Sequence, residues 1–209
     1  ETAARSPSAL ARLQALYALE GLDSLTPNVV ESALNDADPG VREHALRLAE
    51  TLWTQRPVPE TVTSRLQELA DDPDREVRYQ LALSLGLLRS SGKGECLARI
   101  IQSDPGDPWM QAAVLNSSAA NAVQILGFLL AQSGFVQSDG ADGFLGELSR
   151  MIGVRSDRHE IGEAMAALTH CRSVSLACSL AAGLGDGLQQ AGATLWSEEN
   201  EPMLARLTE

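Results

Sequence analysis

The sequence predicts an all-α fold of stacked helical hairpins, on three observations. Apolar residues fill 44% of the 209 positions, yet aromatics reach only 4%, and Ala and Leu dominate. That mixture suits helices packed closely on helices, whereas sheets draw on Val, Ile, Thr and aromatics. Apolar residues also recur at helical spacing: Val41, Ala45, Leu48, Ala49 and Leu52 share one face, and Leu66, Leu69 and Ala70 mark a partner helix. The third observation is an internal repeat.

Four segments align: Ala11-Arg12-Leu13-Gln14-Ala15-Leu16, Val41-Arg42-Glu43-His44-Ala45-Leu46, Val77-Arg78-Tyr79-Gln80-Leu81-Ala82 and Met110-Gln111-Ala112-Ala113-Val114-Leu115. Their offsets of 30, 36 and 33 residues are each the length of one helical hairpin with its turns. Shorter apolar helices precede them and run into acidic turns, at Asn35-Asp36-Ala37-Asp38-Pro39-Gly40, Asp71-Asp72-Pro73-Asp74 and Asp104-Pro105-Gly106-Asp107-Pro108. An apolar helix, an Asp/Pro turn, then Val-Arg and a second apolar helix is the rhythm of a HEAT-like, armadillo-type α-solenoid. One such hairpin cannot bury its apolar face alone, so neighbours must stack.

The turn residues have physical roles. Asp38, Asp74 and Asp107 stand where a helix N-cap is needed, satisfying orphan amides and complementing the helix dipole at about 1 kcal/mol each. Pro39 and Pro108 fall at the first helical position, where a missing N–H costs nothing. Arg42 and Arg78 follow their caps by four residues. Each is placed to pair with that Asp or with the acidic turn of the adjacent repeat, forming a ladder along one edge. Exposed pairs contribute about 0–1 kcal/mol each, so the ladder is expected to set register more than stability.

Beyond Ala120 the repeat decays. Helices are expected over 119–132, 142–154, 158–171, 173–190 and 198–207, with Asp157 and Ser173 as caps and a loop or joint over 133–143. The count is about six hairpins: residues 1–132 form regular repeats, and 133–209 an irregular continuation or C-terminal cap. The first residues are polar and start without Met, as expected of a domain taken from a longer chain.

Charge narrows the partners. The net charge is −12; residues 1–107 carry 11 basic against 17 acidic side chains and residues 108–209 carry 5 against 11, so each half nets −6. Neither half has the basic stripe that neutralises phosphates, which argues against nucleic acid and anionic membrane surfaces. No apolar run approaches the ~18 residues of a membrane span, so direct membrane insertion is not expected. Protein partners remain, either other domains of the same chain or a separate protein.

The candidate chemistry is thin. Cys96, Cys171 and Cys178 are an odd count without CxxC, giving no zinc pattern, redox pair or CxxCH; one disulfide stays open, but buried thiols acting as small apolar groups are expected. His159-Glu160-Ile161-Gly162-Glu163 begins like HExxH and lacks the second His, so no metal site is assigned. His170 and Cys171, adjacent on a helix, diverge by about 100°. Gly183, Gly185 and Gly187 echo a phosphate loop but follow no strand, and close helix–helix approach, or weakening of a long helix at Gly185 to Gly187, is the better reading. Asn116-Ser117-Ser118 fits a glycosylation sequon at a helix end. Trp53, Trp109 and Trp196 are the only indoles; Trp109 follows the Asp107-Pro108 cap and either packs between hairpins, the expected outcome, or contacts a ligand in a groove. No catalytic, cofactor-binding or metal-ligating residue is assigned, and no cofactor is required.

The ordered series from Ala9 to Gln190 resembles something more specific. The run Ala11-Arg12-Leu13-Gln14-Ala15-Leu16-Tyr17-Ala18-Leu19-Glu20-Gly21-Leu22 is followed by Asp38-Pro39-Gly40-Val41-Arg42-Glu43-His44-Ala45-Leu46-Arg47-Leu48. Next come Asp74-Arg75-Glu76-Val77-Arg78-Tyr79-Gln80-Leu81-Ala82-Leu83-Ser84-Leu85-Gly86 and Asp107-Pro108-Trp109. It is similar to the HEAT-like region of the large membrane-bound dehydrogenases of planctomycetes and their relatives. In that family a β-propeller precedes this region and a c-type cytochrome domain follows it. Neither the propeller nor the CxxCH is present here, so no redox role passes to any residue of this chain. The resemblance implies a connecting scaffold in an exported, cell-envelope protein.

Three functions follow as expectations. The first is a non-catalytic scaffold linking dehydrogenase and cytochrome c domains. The second is a free-standing adaptor that holds a protein partner on its concave face. The third is a HEAT-fold nucleic-acid enzyme, against which the charge of −12 argues.

Overall fold

A computed structural model describes residues 6–54, 56–169, 171 and 173–193. Among them the chain forms twelve helices and no strand, a single β-bridge joining Pro57 and Arg89. In chain order these are α1 (Ala9–Gly21), α2 (Pro27–Leu34), α3 (Pro39–Trp53), α4 (Glu60–Leu69), α5 (Arg75–Leu87), α6 (Lys93–Ser103), α7 (Pro108–Ser117), α8 (Ala122–Leu130), α9 (Ser133–Val136), α10 (Ala141–Arg155), α11 (Arg158–Thr169) and α12 (Val174–Gln190). The all-α class expected from composition and spacing is the one observed. Two compact units divide the chain, Glu1–Ile100 and Ile101–Glu209, with the boundary inside α6.

In the first unit each helix buries one stripe. Val41, Ala45, Leu48 and Ala49 of α3 are buried, as are Leu66, Leu69 and Ala70 from the α4 side, and Val77, Leu81 and Leu85 of α5 extend the same core. Trp53 is buried there too. The starts of α3 and α5 are made by the acidic turns. Asp38 Oδ1 accepts from Val41 N at 3.2 Å, and Asp74 Oδ1 accepts from Glu76 N at 2.9 Å and Val77 N at 3.3 Å. Pro39 occupies the first turn of α3.

The second unit opens with the same device. Asp107 Oδ1 accepts from Trp109 N at 2.8 Å and Met110 N at 3.2 Å, with Pro108 in the first turn of α7. Asp157 Oδ1 accepts from His159 N and Glu160 N, and Ser173 Oγ from Leu176 N, so both expected caps are made. The stretch 133–143, expected as a loop, contains the single turn α9, because Phe135 is buried edge-on against Phe144 with ring centroids 6.2 Å apart. Gly140, at φ 82°, then turns the chain into α10. The helix expected over 119–132 is shorter, since Ser118 closes α7 by donating its Oγ to Val114 O and the chain re-enters helix only at Ala122.

Parallel helices α10 and α12 lie in backbone contact. A Cβ added at Gly183 would overlap the Gly146 carbonyl, and one at Gly187 would meet the Arg150 carbonyl and Val154 N, the latter at 2.8 Å. Ser149 Oγ donates to Leu180 O at 2.8 Å across the same seam. Gly183 and Gly187 serve close helix approach. Gly162, inside α11, has no neighbour within 4 Å of an added Cβ. Gly162→Ala is therefore expected to stabilise the chain by about 1 kcal/mol through helix propensity alone, seen as a higher urea midpoint at unchanged slope.

Candidate interaction surfaces

Along the turn edge of the first unit, Arg12 and Arg42 each reach the acidic turn of the next repeat with a two-pronged grip. Arg12 Nε and Nη2 donate to Asp36 Oδ2 and Oδ1 at 2.7 and 2.6 Å; Arg42 Nε and Nη2 donate to Asp72 Oδ2 and Oδ1, both at 2.8 Å. Their remaining Nη1 groups bond backward to the turn six residues earlier, Arg12 to Ser6 O at 2.8 Å and Arg42 to Asp36 O and Ala37 O. Arg78 Nη1 does the same to Asp72 O at 2.6 Å. In the second unit Gln111 takes the equivalent place, its Nε2 donating to Pro105 O at 2.6 Å and to Gly140 O at 3.4 Å.

For Arg12 and Arg42 the ladder acceptors are thus Asp36 and Asp72, two residues before the caps Asp38 and Asp74. Their carboxylates do double duty: Asp36 Oδ1 also accepts from Asp38 N at 2.8 Å, and Asp72 Oδ1 from Asp74 N at 2.9 Å. The sequence signal was the Asp-x-Asp spacing in Asp36-Ala37-Asp38 and Asp72-Pro73-Asp74. Only 9% of the Arg42 side chain and 3% of the Asp72 side chain are exposed. The Asp72 carboxylate, through its hydrogen bonds, raises the Arg42 pKa above the ordinary value.

Hydrogen bonds from Arg12 hold the Asp36 pKa below its ordinary 3.8. A carboxylate with a depressed folded-state pKa adds stability that is present above the unfolded value and lost as pH falls through the folded one. Wild type is therefore expected to exceed Asp36→Asn in stability at about pH 5, with the gap closing as the pH is lowered to about 3. Parallel urea titrations at the two pH values check it.

Between α3 and α5 a polar network crosses the repeat seam. Arg47 Nε donates to Gln80 Oε1 at 2.8 Å, while Gln80 Nε2 (3.2 Å) and Ser84 Oγ (2.6 Å) both donate to Glu50 Oε1. Tyr17 of α1 and His44 of α3 make a 2.6 Å contact between OH and Nδ1. A partly buried network of this kind helps fix how one helix sits on the next.

Trp109, expected in the core, is 70% exposed. As the second residue of α7, beside a cap whose carboxylate points back to the helix amides, its side chain projects outward from the helix start. Trp196 and His170 lie outside the described residues, as does the helix expected over 198–207. Of the cysteines, Cys96 is buried as expected, and burial pushes its thiol pKa up to about 11; Cys171 is partly exposed and Cys178 exposed. A cleft of about 870 Å³ opens in the second unit among Leu130, Ala131, Val136, Ala166, Cys171 and Leu176, and the described residues that line it are uncharged. His159 sits 3.6 Å from Glu163 on the exposed face of α11, and among the described residues no group of three His, Cys, Asp or Glu side chains could hold a metal ion. No described helix is long and apolar enough to cross a membrane.

Residues 26–118 match the family model of HEAT repeats. The match spans α2 to α7 and takes in the buried Arg42–Asp72 pair, all three acidic turns and the Asp38, Asp74 and Asp107 caps. The chain therefore contains a HEAT-like repeat region. No curated protein and no solved structure matches the chain. HEAT repeats as a class suggest scaffolding and protein interaction.

Proposed function

We propose that this chain is a non-catalytic HEAT-repeat scaffold within a larger exported protein of the cell envelope, where it holds a dehydrogenase domain and a cytochrome c domain in fixed relation. The buried, two-pronged Arg42–Asp72 link carries the reading: it locks one hairpin to the next at defined register, the property a spacer between redox modules needs. The ordered series of repeat motifs supports the same context. Determining the open reading frame that surrounds this sequence tests it. A propeller upstream and a CxxCH downstream are expected, and a frame coding for neither overturns the linking role.

The exposed Trp109 favours a second reading, a free-standing adaptor that engages a protein partner through its surface. Large exposed aromatics are common anchors of protein interfaces. Under this reading Trp109→Ala abolishes partner capture by the purified chain while leaving its thermal midpoint unchanged, and an unaffected capture removes the adaptor role for this residue.

A further inference from the structure

The charge pattern of the first unit holds an anomaly. With 28 acidic against 16 basic side chains, each cation should find a carboxylate, and among the described residues nearly all cations have an interaction partner. The exceptions are Arg56, Arg89 and Lys93, which make no ion pair and no side-chain hydrogen bond. All three fall at one corner. The segments 56–59 and 88–92 run side by side there, joined by the parallel bridge of Pro57 with Arg89 and by Val58 N donating to Arg89 O at 3.3 Å. Arg56 precedes the bridge on one loop, Arg89 forms it on the other, and Lys93, the chain's one lysine, opens α6 four residues later.

These loops follow α3 and α5, so they lie at the opposite ends of those helices from the acidic turns that carry Asp36, Asp38, Asp72 and Asp74. Arg56 and Arg89 are exposed and Lys93 is partly buried. Two further features suit an anion. The amide end of the 11-residue α6 is at the corner, adding partial positive charge. Ser90 Oγ, between Arg89 and Lys93, is buried and has no hydrogen-bond partner. Burial lowers the Lys93 pKa with no carboxylate offsetting it. The nearest acids in sequence, Glu60 and Glu95, pair with none of the three.

We infer that this corner is a docking site for a carboxylate-rich segment of a protein partner, an inference that rests on the chain being an interaction module. Charge complementarity selects the occupant. The cations are spread over two adjacent loops and a helix start, which matches a short acidic stretch laid across them. The excess of negative charge elsewhere repels long polyanions and confines binding to the corner.

The test is fluorescence anisotropy at low salt with a labelled eight-residue peptide rich in glutamate, with inorganic phosphate as competitor and a lysine-rich peptide for comparison. The glutamate peptide is expected to bind saturably to wild type. Arg89→Glu/Lys93→Glu is expected to weaken it by about tenfold or more, with Arg89→Gln/Lys93→Met intermediate and all variants melting as wild type does. Equal binding by wild type and the charge-reversed variant overturns the site, as does no binding at low salt. Displacement by millimolar phosphate overturns the segment in favour of a small-anion site. A reading frame lacking redox domains would leave this titration unaffected, and a failed titration would leave the linking role intact, so the two ideas fail separately.

Discussion

Asp72→Ala is expected to destabilise the first unit by about 3 kcal/mol or more, because it strands a buried guanidinium rather than merely deleting a contact. Arg42 Nη1 would keep its bonds to Asp36 O and Ala37 O, but Nε and Nη2 would lose both acceptors inside the seam. The same change removes the acceptor of Asp74 N, weakening the start of α5. A paired control separates burial from charge. The Arg99–Asp71 ion pair lies in the same turn with side chains 33% and 59% exposed, so Asp71→Ala should cost at most about 1 kcal/mol. Urea denaturation of both variants followed by helical circular dichroism checks the contrast, and equal midpoints would refute the special weight given to Asp72.

That prediction departs from what spacing alone suggested. Val41-Arg42 and Val77-Arg78 marked the repeat register and Asp38, Asp74 and Asp107 the caps, because caps and helix starts are local and leave their signature within four residues. The ladder acceptors are not local: Arg12 and Asp36 are 24 residues apart, Arg42 and Asp72 30 apart. A sequence shows the charge of Asp72 but not that the seam closes over it, so an exposed, weak pair was expected and a buried one is found. Trp109 shows the same limit from the other side. Its apolar character argued for the core, but the cap geometry at Asp107 turns the second residue of α7 outward. The unpaired corner of Arg56, Arg89 and Lys93 was also invisible, since it depends on two loops meeting across 32 residues.

The glycine seam of the second unit was half legible. Gly183 and Gly187 pointed to a close helix approach, but their counterparts Gly146 and Gly153 on α10 did not, for nothing in their own spacing says which helix arrives. Gly187→Ala is the sharpest test. Helix propensity alone favours Ala by about 1 kcal/mol, the gain expected at Gly162. At Gly187 the new methyl would press on the Arg150 carbonyl and on Val154 N, backbone atoms that no rotamer change can clear. Helices α10 and α12 must then separate, opening the Ser149–Leu180 hydrogen bond and the packing around it. Overpacking costs about 1–3 kcal/mol and exceeds that where the obstacle is backbone, so a net loss of about 2 kcal/mol or more is expected. Gly183→Ala should behave alike through the Gly146 carbonyl, and the double variant should cost less than the two losses together, because helices already parted by one methyl accommodate the second. Neutral or stabilising single variants would show that α10 and α12 do not approach at backbone distance.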